Sequence, residues 1–132
     1  MTTVLFACVH NAGRSQIAAA LFNKYANAGK ARAISAGTQP ADRVHPEVVT
    51  AMKARGIDLS SERPQRLTPE LASTASWLIT MGCGDACPVV PGTHRADWAI
   101  QDPKGQTPEC VAGIIDTIDR LVRSFIKESC AA

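Results

Sequence analysis

The tightest constraint on this chain lies in its first 25 residues. Val4-Leu5-Phe6-Ala7 is an apolar run of strand length, and beyond Ser15 the residues Ile17, Ala18, Leu21, Phe22 and Tyr25 recur at helical spacing. Only Cys8-Val9-His10-Asn11-Ala12-Gly13-Arg14 lies between them. A strand entering a helix through so short a turn is the opening unit of a parallel α/β fold. In such a turn the first N–H groups of the helix have no intrahelical acceptor, and the positive end of the helix dipole favours an anion.

The residues in this turn suit that use. Gly13 permits a close backbone approach. Asn11 tolerates the left-handed region and can pin a loop through its amide. Arg14 offers a planar fork of donors to two oxygens of a tetrahedral anion. Val9, His10, Asn11, Ala12, Gly13, Arg14 and Ser15 are therefore read as an oxyanion-binding loop, with Cys8 as a nucleophile at its floor. The N–H groups, Arg14 and the Ser15 hydroxyl would stabilise a thiolate there. The competing reading is a buried structural cysteine before a helix, with Arg14 in solvent.

The remaining chain alternates strands and helices. Expected strands are residues 31–35, 77–81 and 97–100, and expected helices are residues 14–27, a segment from Pro46 to Gly56, a short helix capped by Thr68, and residues 108–127. The last carries one apolar stripe through Val111, Ile114, Ile115, Ile118, Leu121, Val122 and Phe125. Trp77 and Trp98 are expected in strand cores. The pattern predicts an α/β class: a parallel sheet with helices on both faces, a three-layer α/β/α arrangement in a single domain spanning residues 1–132. In a parallel sheet all strands end on one edge, where such folds bind ligands. Cys8, Ser35, Cys83 and Asp102 each follow or end a strand, so the topology gathers four chemically useful residues on one rim.

Composition excludes more than it assigns. A net charge of +2 with no Lys/Arg run gives no support for nucleic-acid binding and suits a small anion. The apolar run after Met1 is too short for a membrane span or signal peptide. Five cysteines without a secretion signal fit a reducing cytoplasm rather than a disulfide framework.

Residues 4–16, Val4-Leu5-Phe6-Ala7-Cys8-Val9-His10-Asn11-Ala12-Gly13-Arg14-Ser15-Gln16, resemble the phosphate loop of the low-molecular-weight tyrosine phosphatase fold. They resemble more closely that of the thiol-coupled arsenate reductases built on it. The similarity continues through Ser35-Ala36-Gly37-Thr38, Gly56-Ile57-Asp58-Leu59-Ser60, Thr80-Met81-Gly82-Cys83-Gly84-Asp85-Ala86-Cys87-Pro88 and Asp102-Pro103. The resemblance implies a four-stranded sheet in the order 2-1-3-4, and Asp102 as a general acid. Asn11, Ser15 and Ser35 become supports for the loop. It also implies that Cys83 and then Cys87 relay electrons to an adduct on Cys8, with thioredoxin as partner and arsenate as substrate. Phosphate and sulfate would compete. No cofactor or metal is expected to be bound; the reductant is an external thiol, thioredoxin or, alternatively, mycothiol with mycoredoxin acting on Cys8 alone. Without the resemblance, Asp102-Pro103 reads as a turn, and the cysteine pair as inert thiols or half of a zinc site.

Several departures from the family pattern narrow the reading. His10 and Gly13 stand where the phosphatases usually carry a glycine and a second cysteine. Lys104-Gly105-Gln106 follows Asp102-Pro103 where phosphatases place aromatics that wall a phenyl pocket. Ala18, Ala19 and Ala20 replace the acidic helix residue with which some reductases bind potassium, so no such site is expected. Residues four apart on a helix hold their Cβ atoms about 5–6 Å apart, but a disulfide needs roughly 3.5–4.5 Å. A helical Cys83–Cys87 segment is therefore expected to lose order on oxidation. Cys110 reads as core and Cys130 as a spectator thiol. His45 carries no assigned role. Alternatives to arsenate reduction are a low-molecular-weight tyrosine phosphatase and a non-catalytic oxyanion or arsenic sensor.

Overall fold

The computed structural model describes residues 1–82 and 91–129. Cys83, Cys87 and Cys130, and with them the expected relay and its oxidation-linked change, lie outside the described residues. The strands are β1 (Thr2–Cys8), β2 (Ala31–Gly37), β3 (Trp77–Thr80) and β4 (His94–Asp97); the helices are α1 (Arg14–Tyr25), α2 (Pro46–Lys53), α3 (Pro69–Ser73) and α4 (Pro108–Glu128). All strand pairs are parallel and the sheet order is β2-β1-β3-β4, the expected topology.

β1 is buried on both faces, and its alternation sorts the core in two. Val4, Phe6 and Cys8 face a large apolar cluster with Ile17 and Phe22 of α1, Val48 and Met52 of α2, and the buried stripe of α4. Leu5 and Ala7 face a smaller cluster with Leu67, Ala72 and Leu78, beside α3. Among the described residues, helices thus cover both faces unequally, three against one. Each fully buried Leu, Ile, Phe or Val stabilises the fold by about 1.5–3 kcal/mol.

The ends of the helices follow local chemistry. Thr107 and Thr68 accept from the N–H groups of Cys110 (3.2 Å) and Leu71 (3.1 Å), each ahead of a proline in the first turn. Gly56, at φ 82°, closes α2: the Gly56 N–H donates to Lys53 and the Ile57 N–H to Met52. α1 stops at Tyr25 instead of reaching residue 27, because Ala26 is already extended.

Two strand ends depart from expectation. β2 runs on to Gly37, which pairs with Cys8, whereas Ser35 pairs with Phe6 two residues back from the rim. The fourth strand is His94–Asp97 rather than residues 97–100. It pairs with Trp77–Thr80, and the Thr80 hydroxyl donates to the Asp97 carboxylate. As an outer strand it is polar, and the apolar Trp98-Ala99-Ile100 run belongs to the segment that leaves it. Trp98 donates its backbone N–H to the Thr80 carbonyl (2.8 Å) and packs its ring at a tilt against Phe6 (5.6 Å between centroids), so residues 98–102 are held over the carboxyl end of the sheet. No described helix is long and apolar enough to cross a membrane.

Candidate active site

The turn after β1 is held by its carbonyls. Cys8 accepts from Thr38 (3.2 Å), Val9 from Gln39 (2.7 Å), His10 from Ala41 (2.9 Å), Ala12 from His45 (2.8 Å) and Gly13 from Ile17 (3.0 Å); the Asn11 carbonyl accepts from Gln16 Nε2 (3.1 Å). Six consecutive carbonyls are thereby fixed away from the loop's centre. The N–H groups of residues 10–13 find no acceptor among the described residues. Consecutive amides left over in this way form an anion-binding concavity, here leading into the N-terminus of α1. Close approach of β2 is part of the construction: a Cβ at Gly37 would stand 2.6 Å from the Val9 carbonyl oxygen and 2.8 Å from the Asn11 nitrogen.

Cys8 lies at the floor, 2% exposed. Its Sγ is 2.9 Å from Ser15 Oγ, which accepts in turn from Asn11 Nδ2 at 2.7 Å. Filling one lone pair of that hydroxyl leaves its proton free to point at the sulfur. Asn11 sits at φ 51°, and three bonds hold it there. Its Oδ1 accepts from the Gln65 N–H (2.9 Å) and from Gln16 Nε2 (3.3 Å), and its carbonyl takes the Gln16 amide as above. Asn11, Ser15 and Gln16 are all buried, so this polar chain is shielded from water and fully partnered.

Arg14 and Asp102 close the opposite side. Arg14 Nη1 donates to the Ile100 carbonyl at 3.0 Å, and Nη2 is 3.9 Å from Asp102 Oδ2. The arginine side chain is 12% exposed and the aspartate 44%, so one is held in the wall and the other reaches solvent. Asp102 Oδ1 accepts from the Lys104 N–H (3.0 Å), and the Gln106 N–H donates to the Pro103 carbonyl. The turn role and the placement of a carboxyl at the loop are therefore compatible in one residue. Pro103 fits because Gly13 has no side chain: a Cβ on Gly13 would stand 3.0 Å from Pro103 Cγ and 3.4 Å from His45 Cδ2. Burial lowers the affinity of the His45 imidazole for a proton; nearby Glu47 and Asp102 oppose that shift, while Lys104 and His10 add to it.

Cys8, Asn11, Arg14, Ser15 and Asp102 come together as the parallel topology predicts. Among the described residues Ser35 makes no hydrogen bond to residues 8–15; its carbonyl accepts from Gln65 Nε2 (2.8 Å), and it lines a cavity of about 310 Å³ with Gln16, Asn23 and Gln65. Gln16, Gln65, Gly37, His45 and the polar segment 38–41 are contributors that residue type did not reveal. Cys110 is a half-buried free thiol packed against the larger apolar cluster. No group of three or more potential metal ligands occurs among the described residues.

Residues 3–131 match the family described as low molecular weight phosphotyrosine protein phosphatase. A Halobacterium salinarum protein assigned as an arsenate reductase is 35% identical over 127 residues, covering 93% of this chain and 89% of its own length. The glutaredoxin arsenate reductase of a Synechocystis species is 34% identical over 131 residues, covering 97% of this chain and 92% of the relative. Among solved structures, the thioredoxin-dependent arsenate reductase of Corynebacterium glutamicum superposes with a TM-score of 0.83 at 41% identity, covering 97% of this chain. The present chain spans 61% of that longer protein.

Proposed function

As the chain belongs to the low molecular weight phosphotyrosine protein phosphatase family, we propose that it is a cytoplasmic arsenate reductase, with Cys8 as nucleophile and Cys83 and Cys87 as its relay. Arsenate settles against the amides of residues 10–13 and the Arg14 guanidinium. The Cys8 sulfur attacks arsenic, an As–O bond breaks, and the oxygen departs as water with a proton from Asp102. The Cys83 thiolate then attacks the Cys8 sulfur. The S–As bond breaks with its electron pair passing to arsenic, which leaves as arsenite, and the two cysteines become a disulfide. Attack by Cys87 on Cys83 frees Cys8 and passes the disulfide outward, where an external thiol reduces it.

One observation carries the relay: the Met81 N–H donates to the Ala7 carbonyl at 2.7 Å. The chain thus stands beside the residue before Cys8 just two residues before Cys83. Names of relatives favour arsenate as the oxyanion, and the thioredoxin-dependent relative supports thioredoxin as the reductant. Mycothiol with mycoredoxin would instead resolve the Cys8 adduct directly. Phosphate and sulfate compete for the same loop.

The test is arsenate-dependent NADPH oxidation with thioredoxin and its reductase, run beside a mycothiol-based system. Turnover that survives Cys83→Ser with thioredoxin refutes the relay. A second reading, phosphotyrosine phosphatase, is favoured by the same loop and acid, since phosphate transfer needs no second cysteine; hydrolysis of an aryl phosphate without arsenite release would establish it.

A further inference from the structure

Gly82 follows Met81 at the carboxyl end of β3, on the rim that carries Cys8. Its φ is 94°, a conformation side-chain residues rarely adopt. Gly56 (82°), Gly92 (84°) and Gly105 (71°) share that conformation, yet a Cβ on any of them would meet nothing within 4 Å. At Gly82 a Cβ would stand 2.6 Å from Arg14 Nη1, 3.1 Å from Cζ and 3.2 Å from Nη2. The guanidinium occupies the space that a side chain there would fill. Its Nη1 is tied to the Ile100 carbonyl at 3.0 Å and its Nη2 lies 3.9 Å from Asp102.

We propose that Gly82 is a positioning residue for oxyanion capture, its bare Cα forming the seat that aims Arg14 at the loop. This rests on the oxyanion-loop reading and extends it to the end of the neighbouring strand. The geometry carries a directional consequence. The group in the way is the far end of a flexible side chain rather than backbone, so a methyl at position 82 moves Arg14 and leaves the sheet in place. Arginine binds a tetrahedral anion through two parallel N–H···O bonds, and that match is lost when the plane is displaced.

The experiment measures protection of Cys8 from iodoacetamide by inorganic phosphate, quantified at the Cys8 peptide in the full chain, together with the KM for arsenate. Gly82→Ala and Gly82→Asn should each weaken protection and raise KM by roughly tenfold or more, the range expected when a charge-assisted pair of hydrogen bonds is lost. Asparagine tolerates positive φ, so its variant retains the crowding with less backbone strain. Gly56→Ala supplies the strain without the contact, and should lower the melting temperature while leaving phosphate protection unchanged. In an Arg14→Lys background the Gly82 substitutions should add little. The inference is overturned if both Gly82 variants bind phosphate like the unaltered chain, or if their loss is undiminished in the Arg14→Lys background. If the unaltered chain shows no phosphate protection, the oxyanion-loop reading itself fails, and that result is seen before any variant is made.

Discussion

The two sides of the site are built to different tolerances. The Cys8 side is a lattice: six carbonyls are tied in sequence, Asn11 is held in a left-handed conformation by Gln16 and Gln65, and the floor is sealed from solvent. The Asp102 side hangs from a turn, with one backbone donor on its carboxylate and a guanidinium 3.9 Å away. A rigid loop fixes where the anion binds and where charge is stabilised, with no reorganisation during the reaction. A proton donor must exchange with water between turnovers, so partial exposure suits it. On the roles proposed above, the contrast separates binding from proton delivery, and substitutions on the two sides should fail in different ways.

The largest expected effect is at the floor. Cys8→Ser should reduce arsenate turnover by about 10⁴-fold or more, as removal of a nucleophile commonly does, while phosphate affinity changes little because amides and Arg14 do the holding. Isothermal titration with phosphate beside a turnover assay checks both halves; loss of phosphate affinity along with turnover would show that Cys8 supports the loop's shape. On the looser side, Asp102→Asn should lower kcat by about 10²–10⁴-fold, with KM for arsenate nearly unchanged. An equal rise in KM would mean that Asp102 acts through Arg14 and not as an acid. Asn11→Ala should register in stability instead. It removes the donor to Ser15 Oγ, the acceptor of the Gln65 N–H and the longer of the two Gln16 contacts, and leaves an alanine at φ 51°, so stability should fall by about 2–4 kcal/mol. Urea melts measure the fall, and a change under ~1 kcal/mol would show that the lattice is less cooperative than its connections imply.

What was legible in the sequence divides along the same line. Cys8, Arg14 and the strand-to-helix turn are local, and a motif of eight residues exposes them. Asp102 was reached through topology, since any residue past a parallel strand arrives at the shared edge. That worked although the strand itself was misplaced. β4 is a polar outer strand, His94-Arg95-Ala96-Asp97, and hydropathy favours the adjacent Trp98-Ala99-Ile100, of which half-buried Trp98 and buried Ile100 pack against the larger apolar cluster while Ala99 stays exposed. The carbonyl anchors from Thr38, Gln39 and Ala41 were invisible because backbone donors carry no residue signature. Ser35 shows the cost of a small register error: with the strand two residues longer, Gly37 takes the rim and the serine falls behind it. Gln16 sits on the helix immediately after the motif, where an amide facing inward has the same spacing as one facing water.

His45 tests the join between the two sides, and its expected effect is the smallest. It anchors the Ala12 carbonyl through its N–H, and its ring stands at the Gly13–Pro103 contact. Burial lowers its proton affinity below the ordinary value of 6.5, outweighing the opposing pull of Glu47 and Asp102. A group that binds its proton less readily when folded than when unfolded costs nothing while both states are neutral. As pH falls through 6.5 the unfolded chain takes up a proton that the folded chain resists, so stability declines, and the decline ends once the folded pKa is passed. Urea midpoints should therefore drop modestly from pH 7.5 to 5.0, and His45→Asn, which keeps the backbone N–H, should flatten part of that slope. A slope unaffected by the substitution would assign the pH dependence to other groups. An altered arsenate KM in His45→Asn at pH 7.5, where both states are neutral, would instead place the ring in the geometry of the rim, acting through Pro103 on the setting of Asp102.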